Sequence, residues 1–376
     1  MKRRNFIKNN GILGLTPLLG FTTVNPLLDG SNSKDIALAS DAEPSEAQKK
    51  WMALKFGMFI HFGINTYYDV EWSEGDLDPK AFNPDSIDTD QWCATAKKAG
   101  MNYVVITTKH HDGFCLWPSK FSDYSVKQSR FKKDVLKLLA KSAQKYDLKL
   151  GFYFSLWDRH DPLYDTNWDG FMVNMKGQIQ ELLTNYGPIC ELWFDGFWKK
   201  QKHGWSKKNK TIDGEAEKQS KSKERELNFI NAWRNEGTYW WQMDSLYQMI
   251  KSLQPECMVM NNSTTAYPGV PLHPVDIRSG EKYTQVKDDQ KIWSWLGEEV
   301  YLPLQIETTM SIKGNKKFPS GNWFWHKNDT SVRSKESIMK LLDVAGKMEA
   351  NLLLNVGISD KGLLRPEDKS TLENLD

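Results

Sequence analysis

Cysteine is sparse in this chain. Four occur among 376 residues (Cys93, Cys115, Cys190 and Cys257), far apart and with no C-x-x-C pair, which excludes the common zinc and dithiol motifs. Their apolar neighbours point to buried free thiols. An excess of one charge is also lacking: 50 basic and 48 acidic residues leave a formal net charge of +2, so no global field invites nucleic acid. There is no phosphate loop, no Ser-His-Asp order and no internal repeat. Histidine is scarce too, with seven in all. Yet two sit side by side in "TTKHHDGFCLWPSK" (107–120), directly after the apolar run "NYVVI".

Long hydrophobic runs are missing as well. The opening "MKRRNFIKNNGILGLTPLLGFTTV" holds an apolar stretch too interrupted for a bilayer span of about 20 residues. Paired arginines (Arg3, Arg4), that stretch and the small-residue site "ALAS" (37–40) read as an export signal of twin-arginine type over residues 1–40. A periplasmic or secreted protein, with no membrane span once mature, is the expectation. Hydrophobic content of 39% and charged content of 26% are those of an ordinary globular chain. Aromatics are plentiful: the 16 tryptophans offer flat faces that suit sugar rings and also fill cores.

From about residue 51, short apolar runs alternate with helical patterns. The strand-like runs are "FGMFI" (56–60), "YVVIT" (103–107), "KLGFYFS" (149–155), "CELWFD" (190–195), "CMVMN" (257–261), "VDIR" (275–278), "LQIETT" (304–309) and "NLLLNV" (351–356). Helical spacing appears at 88–100, 133–146, 170–186, 241–254 and 335–349, the first opening on an aspartate and closing on a glycine. Strands apolar on both faces and separated by helices make a parallel sheet. Eight of them, with polar residues at their C-terminal ends, predict an α/β fold: a (β/α)8-like barrel of the TIM type over residues 41–367, with missing or irregular helices in its second half. The charged stretch at about 199–240 reads as a solvated insertion after the fourth strand. Residues 368–376 read as a tail, with no β-sandwich domain following.

In such a barrel the polar groups at the C-terminal strand ends form the site. In chain order these are His61; His110, His111 and Asp112; Trp157 and Asp158; Asp195; Asn261 and Asn262; Arg278 and Glu281; and Glu307. Glu71 and Trp72, in "EWSEG", follow soon after the first strand. Neighbours on a strand point to opposite faces, so His110 and His111 cannot share one ion unless the chain has already turned. The H-x-H spacing of metal-dependent barrels is absent, so no metal or cofactor is expected. A polar substrate pocket and two rings satisfied by nearby backbone both remain open.

Asp195, in "ELWFDGFW", is a sharper signal. It follows a fully apolar strand, Gly196 lets the chain turn after it, and Trp193, Phe194, Phe197 and Trp198 surround it. A helix cap is the plain reading; a nucleophile or base in a sugar pocket is the functional one. Retaining glycoside hydrolysis needs two carboxyl groups about 5–5.5 Å apart, one to attack and one, kept protonated by an apolar setting, to donate. Asp195 fits the first task. Glu281, reached from "VDIR" through Ser279 and Gly280, or Glu307, inside "LQIETT", supplies the second.

Taken together, "WMALKFGMFIHFGINTYY…EWSEG", "YVVITTKHHDGFCLWPSKFSDYSV", "LGFYFSLWDRH", "LWFDGFW" and "NLLLNVGISDKGLLRPED" resemble the α-L-fucosidases of glycoside hydrolase family 29 from about residue 51 to 367. The resemblance implies a (β/α)8-like barrel, a retaining double displacement without metal, and Asp195 as the nucleophile. It implies that His61, Glu71, Trp72, His110, His111, Tyr153 and Trp193 hold the sugar, and that the substrate is a fucosylated oligosaccharide or glycoconjugate. "DIRSGEKY" resembles the family stretch that favours Glu281 as acid/base. The chain also departs from the pattern: "NNSTT" places Ser263 where many members carry arginine, so either Arg278 takes over that charge or the pocket is more open. A glycosidase for a related sugar such as L-galactose stays in view. A non-catalytic carbohydrate-binding protein fits less well, because Asp195, Glu281 and Glu307 are all present.

Overall fold

The computed structural model describes residues 42–197, 237–262, 274–282, 284–286, 288–295, 297–314 and 321–375. The leader, most of the charged insertion, Trp198 and Ser263 lie outside the described residues. A reciprocal cap between Ser45 and Gln48 starts α1 (Glu46–Met52). The chain then runs β1 (Phe56–His61), α2 (Ile64–Tyr67), α3 (Thr89–Lys98), β2 (Tyr103–Lys109), α4 (Val135–Lys145) and β3 (Lys149–Ser155). Next come α5 (Leu163–Thr166), α6 (Trp168–Asn185), β4 (Ile189–Asp195), α7 (Met243–Leu253), β5 (Met258–Asn261) and β6 (Arg278–Glu281). An antiparallel hairpin, β7 (Ile292–Trp295) and β8 (Glu298–Tyr301), precedes β9 (Leu304–Thr309), α8 (Lys335–Lys347), β10 (Asn351–Gly357) and α9 (Pro366–Leu372). Asp88 does cap α3, accepting from the Gln91 amide.

Eight strands form one parallel sheet in the order β5-β4-β3-β2-β1-β10-β9-β6. That is the cyclic order of a (β/α)8 barrel with one ladder missing, between β5 and β6. The seam is bridged instead by the amides of Asp276 and Ile277, which donate to the Val259 carbonyl at 2.8 and 3.3 Å. The Asp276 carboxylate accepts from the Val259 amide at 2.9 Å. Where a sixth helix would stand, the β7–β8 hairpin takes its place, so the second half is irregular as its sequence suggests. One expectation shifts: the sixth strand is Arg278–Glu281, not "VDIR". Val275 and Ile277 are buried, which gives them a strand-like look, but pairing with β9 begins only at Arg278. Glu281 is therefore the last residue of a strand rather than a residue beyond one.

Side chains alternate along each strand with period two. Phe59, Tyr103, Val105, Tyr153, Trp193, Met258, Met260 and Leu353 fill the barrel interior, and Trp51 joins them from α1. Met58, Ile60, Val104, Ile106, Phe152, Phe154, Leu192 and Phe194 pack in the separate layer against the helices. Burial on both faces explains the continuous apolar runs, each large side chain contributing about 1.5–3 kcal/mol. The four cysteines are free thiols, three buried and Cys190 partly so. No helix among the described residues is long and apolar enough to cross a membrane.

Candidate active site

Strand β2 ends at Lys109, and the chain turns through His110–Gly113, with Gly113 in the left-handed region at φ +86°. The turn removes the opposite-face constraint, so both imidazoles come to one side with ring centroids 4.2 Å apart. A buried Lys109–Asp158 pair (2.8 Å) and the Phe114 amide donating to Asp112 (2.7 Å) hold the turn. Among the described residues, no group of three His, Cys, Asp or Glu side chains is gathered as a metal ion requires.

Partners set the tautomers of two histidines. The Ser155 hydroxyl donates to the Trp157 carbonyl (2.6 Å), so at 2.7 Å it accepts from His111 Nδ1–H, leaving Nε2 as an acceptor 3.5 Å from Asp195 Oδ2. Asn355 Nδ2 donates to the Trp323 carbonyl, so its Oδ1 accepts from His61 Nδ1–H at 2.6 Å, and His61 Nε2 is likewise an acceptor. His110 is 8% exposed, its Nδ1 has no partner among the described residues, and it stacks on Tyr153 at 5.5 Å. Burial holds all three imidazoles below their ordinary range, His61 at about 3. The nearby Arg159 and Lys109 cations lower His111 further. The pocket thus offers neutral rings whose free nitrogens on His61 and His111 accept from hydroxyls, beside a His110 ring whose Nδ1 no neighbour engages among the described residues.

Asp195 ends β4 and faces this pocket, 14% exposed. Gly196 follows at φ +76°, and a Cβ there would meet the Trp157 Cβ at 2.7 Å, so only glycine lets the chain leave at this angle. Three donors reach the carboxylate: the Tyr153 hydroxyl (2.8 Å), the Gly196 amide (2.8 Å) and Asn262 Nδ2 (3.4 Å). Asn262 Nδ2 also donates to Glu281 Oε2 at 2.9 Å. Burial, then the charge of Glu281, pushes Asp195 up to about 7 against these donors.

Glu307 stands in the barrel interior, fully buried. Its Oε1 accepts from Trp193 Nε1 (3.1 Å) and Gln305 Nε2 (3.2 Å), and its Oε2 from the Ser279 hydroxyl (3.0 Å) and the Gly280 amide (3.1 Å). Trp193 stacks on Tyr153 at 5.1 Å beneath the pocket, and Trp72 meets His111 edge-on at 5.2 Å from the rim. Glu71 is buried, and its carboxylate accepts from the amides of Trp323 and Phe324 (both 3.1 Å) and pairs with His326 Nε2 (2.9 Å). It thereby fastens a segment whose Trp323 and Phe324 rings lie 5.1 and 5.3 Å from His61.

Arg278 does not join the site. It begins β6 at the opposite end of the barrel, where Nε donates to the Leu302 carbonyl and one guanidinium nitrogen meets both Asp289 oxygens at 2.8 and 2.9 Å. The three-residue shift of the strand moves it there, so it cannot replace a pocket arginine. Asn262 was named among the polar strand ends without a role, and Ser155, Asn355 and Trp323 were not singled out as site residues. Asn355 carried a usable signal, an inward polar residue in the otherwise apolar "NLLLNV"; "GNWFWH" carried none beyond its aromatics.

The strand ends of the barrel thus gather two carboxylates, three neutral imidazoles and an aromatic floor. A family model described as alpha-L-fucosidase matches residues 31–376. The chain belongs to the α-L-fucosidase family. Alpha-L-fucosidase 1 of Arabidopsis thaliana is 29% identical over 350 residues, covering 88% of this chain and 59% of that protein. Putative alpha-L-fucosidase 1 of Oryza sativa subsp. japonica is 45% identical over 157 residues, 41% of this chain and 30% of that one. The chain spans less than two thirds of either relative's length. A crystal structure of a glycoside hydrolase 29 family member from an unknown rumen bacterium superposes with a TM-score of 0.67 at 28% identity, covering 89% of this chain and 56% of that one. For this fucosidase-family chain the barrel expected from the sequence is therefore matched by a solved relative.

Proposed function

We propose that this chain is a retaining exo-glycosidase that removes terminal α-L-fucosyl residues from oligosaccharides or glycoconjugates by double displacement. One observation carries the reading. Asn262 Nδ2 lies 2.9 Å from Glu281 Oε2 and 3.4 Å from Asp195 Oδ1, so those oxygens can be no farther apart than the two distances laid end to end, about 6.3 Å. Inversion needs carboxyl groups about 6.5–9.5 Å apart to leave room for water, whereas retention needs about 5–5.5 Å.

Asp195 attacks the anomeric carbon and forms a glycosyl ester while the Glu281 proton passes to the leaving oxygen. Glu281 then takes a proton from water, whose oxygen attacks the same carbon and releases Asp195. His61, His110 and His111 bind sugar hydroxyls; Tyr153 and Asn262 stabilise the Asp195 charge before attack and after release. Nitrophenyl α-L-fucoside, with the first-formed anomer followed by NMR, tests the reading: α-L-fucose is expected, and β-L-fucose or no turnover refutes it. Comparing the α-L-galactoside measures sugar selectivity. Residues 1–40 are read alongside this as a signal delivering the enzyme to the periplasm or beyond. N-terminal sequencing of protein recovered outside the cytoplasm tests that, and an intact Met1 there would count against cleavage.

A further inference from the structure

Strand β6 carries Glu281 yet is only four residues long, and its ladder runs to β9 alone because β5 and β6 do not pair as strands. Glu307, on β9, compensates from inside the barrel. Its Oε2 accepts from the Ser279 hydroxyl and the Gly280 amide, the two residues immediately before Glu281. Its Oε1 accepts from Trp193 Nε1 on β4, two residues before Asp195. Trp193 in turn stacks on Tyr153, whose hydroxyl donates to Asp195. One side chain therefore reaches both strands that carry the working carboxylates, on opposite sides of the open seam.

Glu307 is itself fixed from below. Gln305 Nε2 donates to it and to Glu191 Oε1 (2.7 Å), Tyr103 donates to Gln305 Oε1 (2.7 Å), and Trp51 donates to Glu191 Oε2 (2.9 Å). Among the described residues no cation pairs with Glu191 or Glu307. A buried carboxylate without a countercharge is costly, and an apolar residue would fill the space at less expense. The site instead spends four donors on one acceptor.

We propose that Glu307 is a positioning residue that sets the separation of Asp195 and Glu281 by tying β4 and β6 together inside the barrel. The proposal rests on the retaining glycosidase reading. Glu307→Gln keeps the shape but faces an amide NH2 toward groups that are themselves donors, so the clamp loosens. A misplacement of about 1 Å can cost ~100-fold in rate. Because Glu281 is displaced, the loss falls hardest where the leaving group needs protonation.

The test compares wild type and Glu307→Gln on nitrophenyl α-L-fucoside and on an unactivated fucosyl disaccharide, with melting temperature and active-site titration alongside. Wild-type turnover reads the underlying activity by itself; the variant-to-wild-type ratio reads the clamp. The expected result is kcat lower by about 10- to 100-fold per titrated site, KM nearly unchanged, and a larger loss on the disaccharide. Equal losses on both substrates, or turnover per site within about twofold of wild type, overturn the proposal. Azide acceleration giving a fucosyl azide of retained configuration also overturns it, by making Glu307 the acid/base itself. If Glu307→Gln does not fold, Ser279→Ala removes one arm of the clamp and should show a smaller loss with the same bias. An unchanged substrate ratio in Ser279→Ala overturns the proposal in that case.

Discussion

Asp195 and Glu281 share one hydrogen-bond donor, Asn262 Nδ2. A neutral amide between two carboxylates stabilises charge on either without adding any of its own. Asn262→Asp replaces it with a third acidic group, which should push Asp195 further above its present value of about 7. Activity requires ionised Asp195 and is lost as pH falls through that value. The acidic limb of kcat/KM should therefore move to higher pH in Asn262→Asp and to lower pH in Glu281→Gln, where the neighbouring charge is gone. Limbs that stay in place in both variants would separate Asp195 from the profile.

Glu281 rather than Glu307 is expected to be the acid/base, since it ends β6 at the pocket while Glu307 is enclosed by four donors. Glu281→Ala should cripple hydrolysis of an unactivated fucoside but largely spare the first step on nitrophenyl fucoside, giving a burst of nitrophenol. Azide should then speed turnover with retained configuration. Glu281→Ala behaving like wild type would reverse the assignment.

If His110 and His111 bind sugar hydroxyls as proposed, each His→Ala change should cost about 1–3 kcal/mol of transition-state stabilisation, the range for leaving a buried polar partner unmatched. Prolonged chelation should leave wild-type activity untouched. Loss that returns with one divalent ion would restore a metal reading of the pair.

His326 lies between Asp69 and Glu71, both 2.9 Å away, and so locks the Trp323–Phe324 wall onto the rim. Burial works to lower its pKa, but hydrogen bonds and charge from Glu71 and Asp69 outweigh it and hold the ring above its ordinary 6.5. The sign follows: this stabilisation is complete below pH 6.5 and fades as pH rises through the raised value. His326→Ala should cost about 1–3 kcal/mol, mostly from the buried Glu71 contact, since Asp69 is half exposed. Thermal melts should show the gap to wild type closing on the alkaline side; a constant gap would contradict it.

The barrel was legible because burial on both faces writes each strand as an apolar run, and β3 and β9 match their expected limits residue for residue. The place of Asp195 at the barrel mouth was legible because it ends such a run and glycine follows, which lets the chain turn there. Arg278 was misplaced for a physical reason: Val275 and Ile277 are buried at the seam and mimic a strand that pairs three residues later. The Asn262 bridge between Asp195 and Glu281 and the Glu71–His326 lock escaped because they depend on side chains from distant segments meeting, which no local spacing encodes.

The central claim is that Asp195 becomes covalently glycosylated. A 2-deoxy-2-fluoro-α-L-fucosyl fluoride should inactivate the enzyme in step with turnover, and peptide mass spectrometry should place one fluorofucosyl group on Asp195 within "ELWFDGFW". A label on any other residue, or none on enzyme that hydrolyses fucosides, would contradict the account.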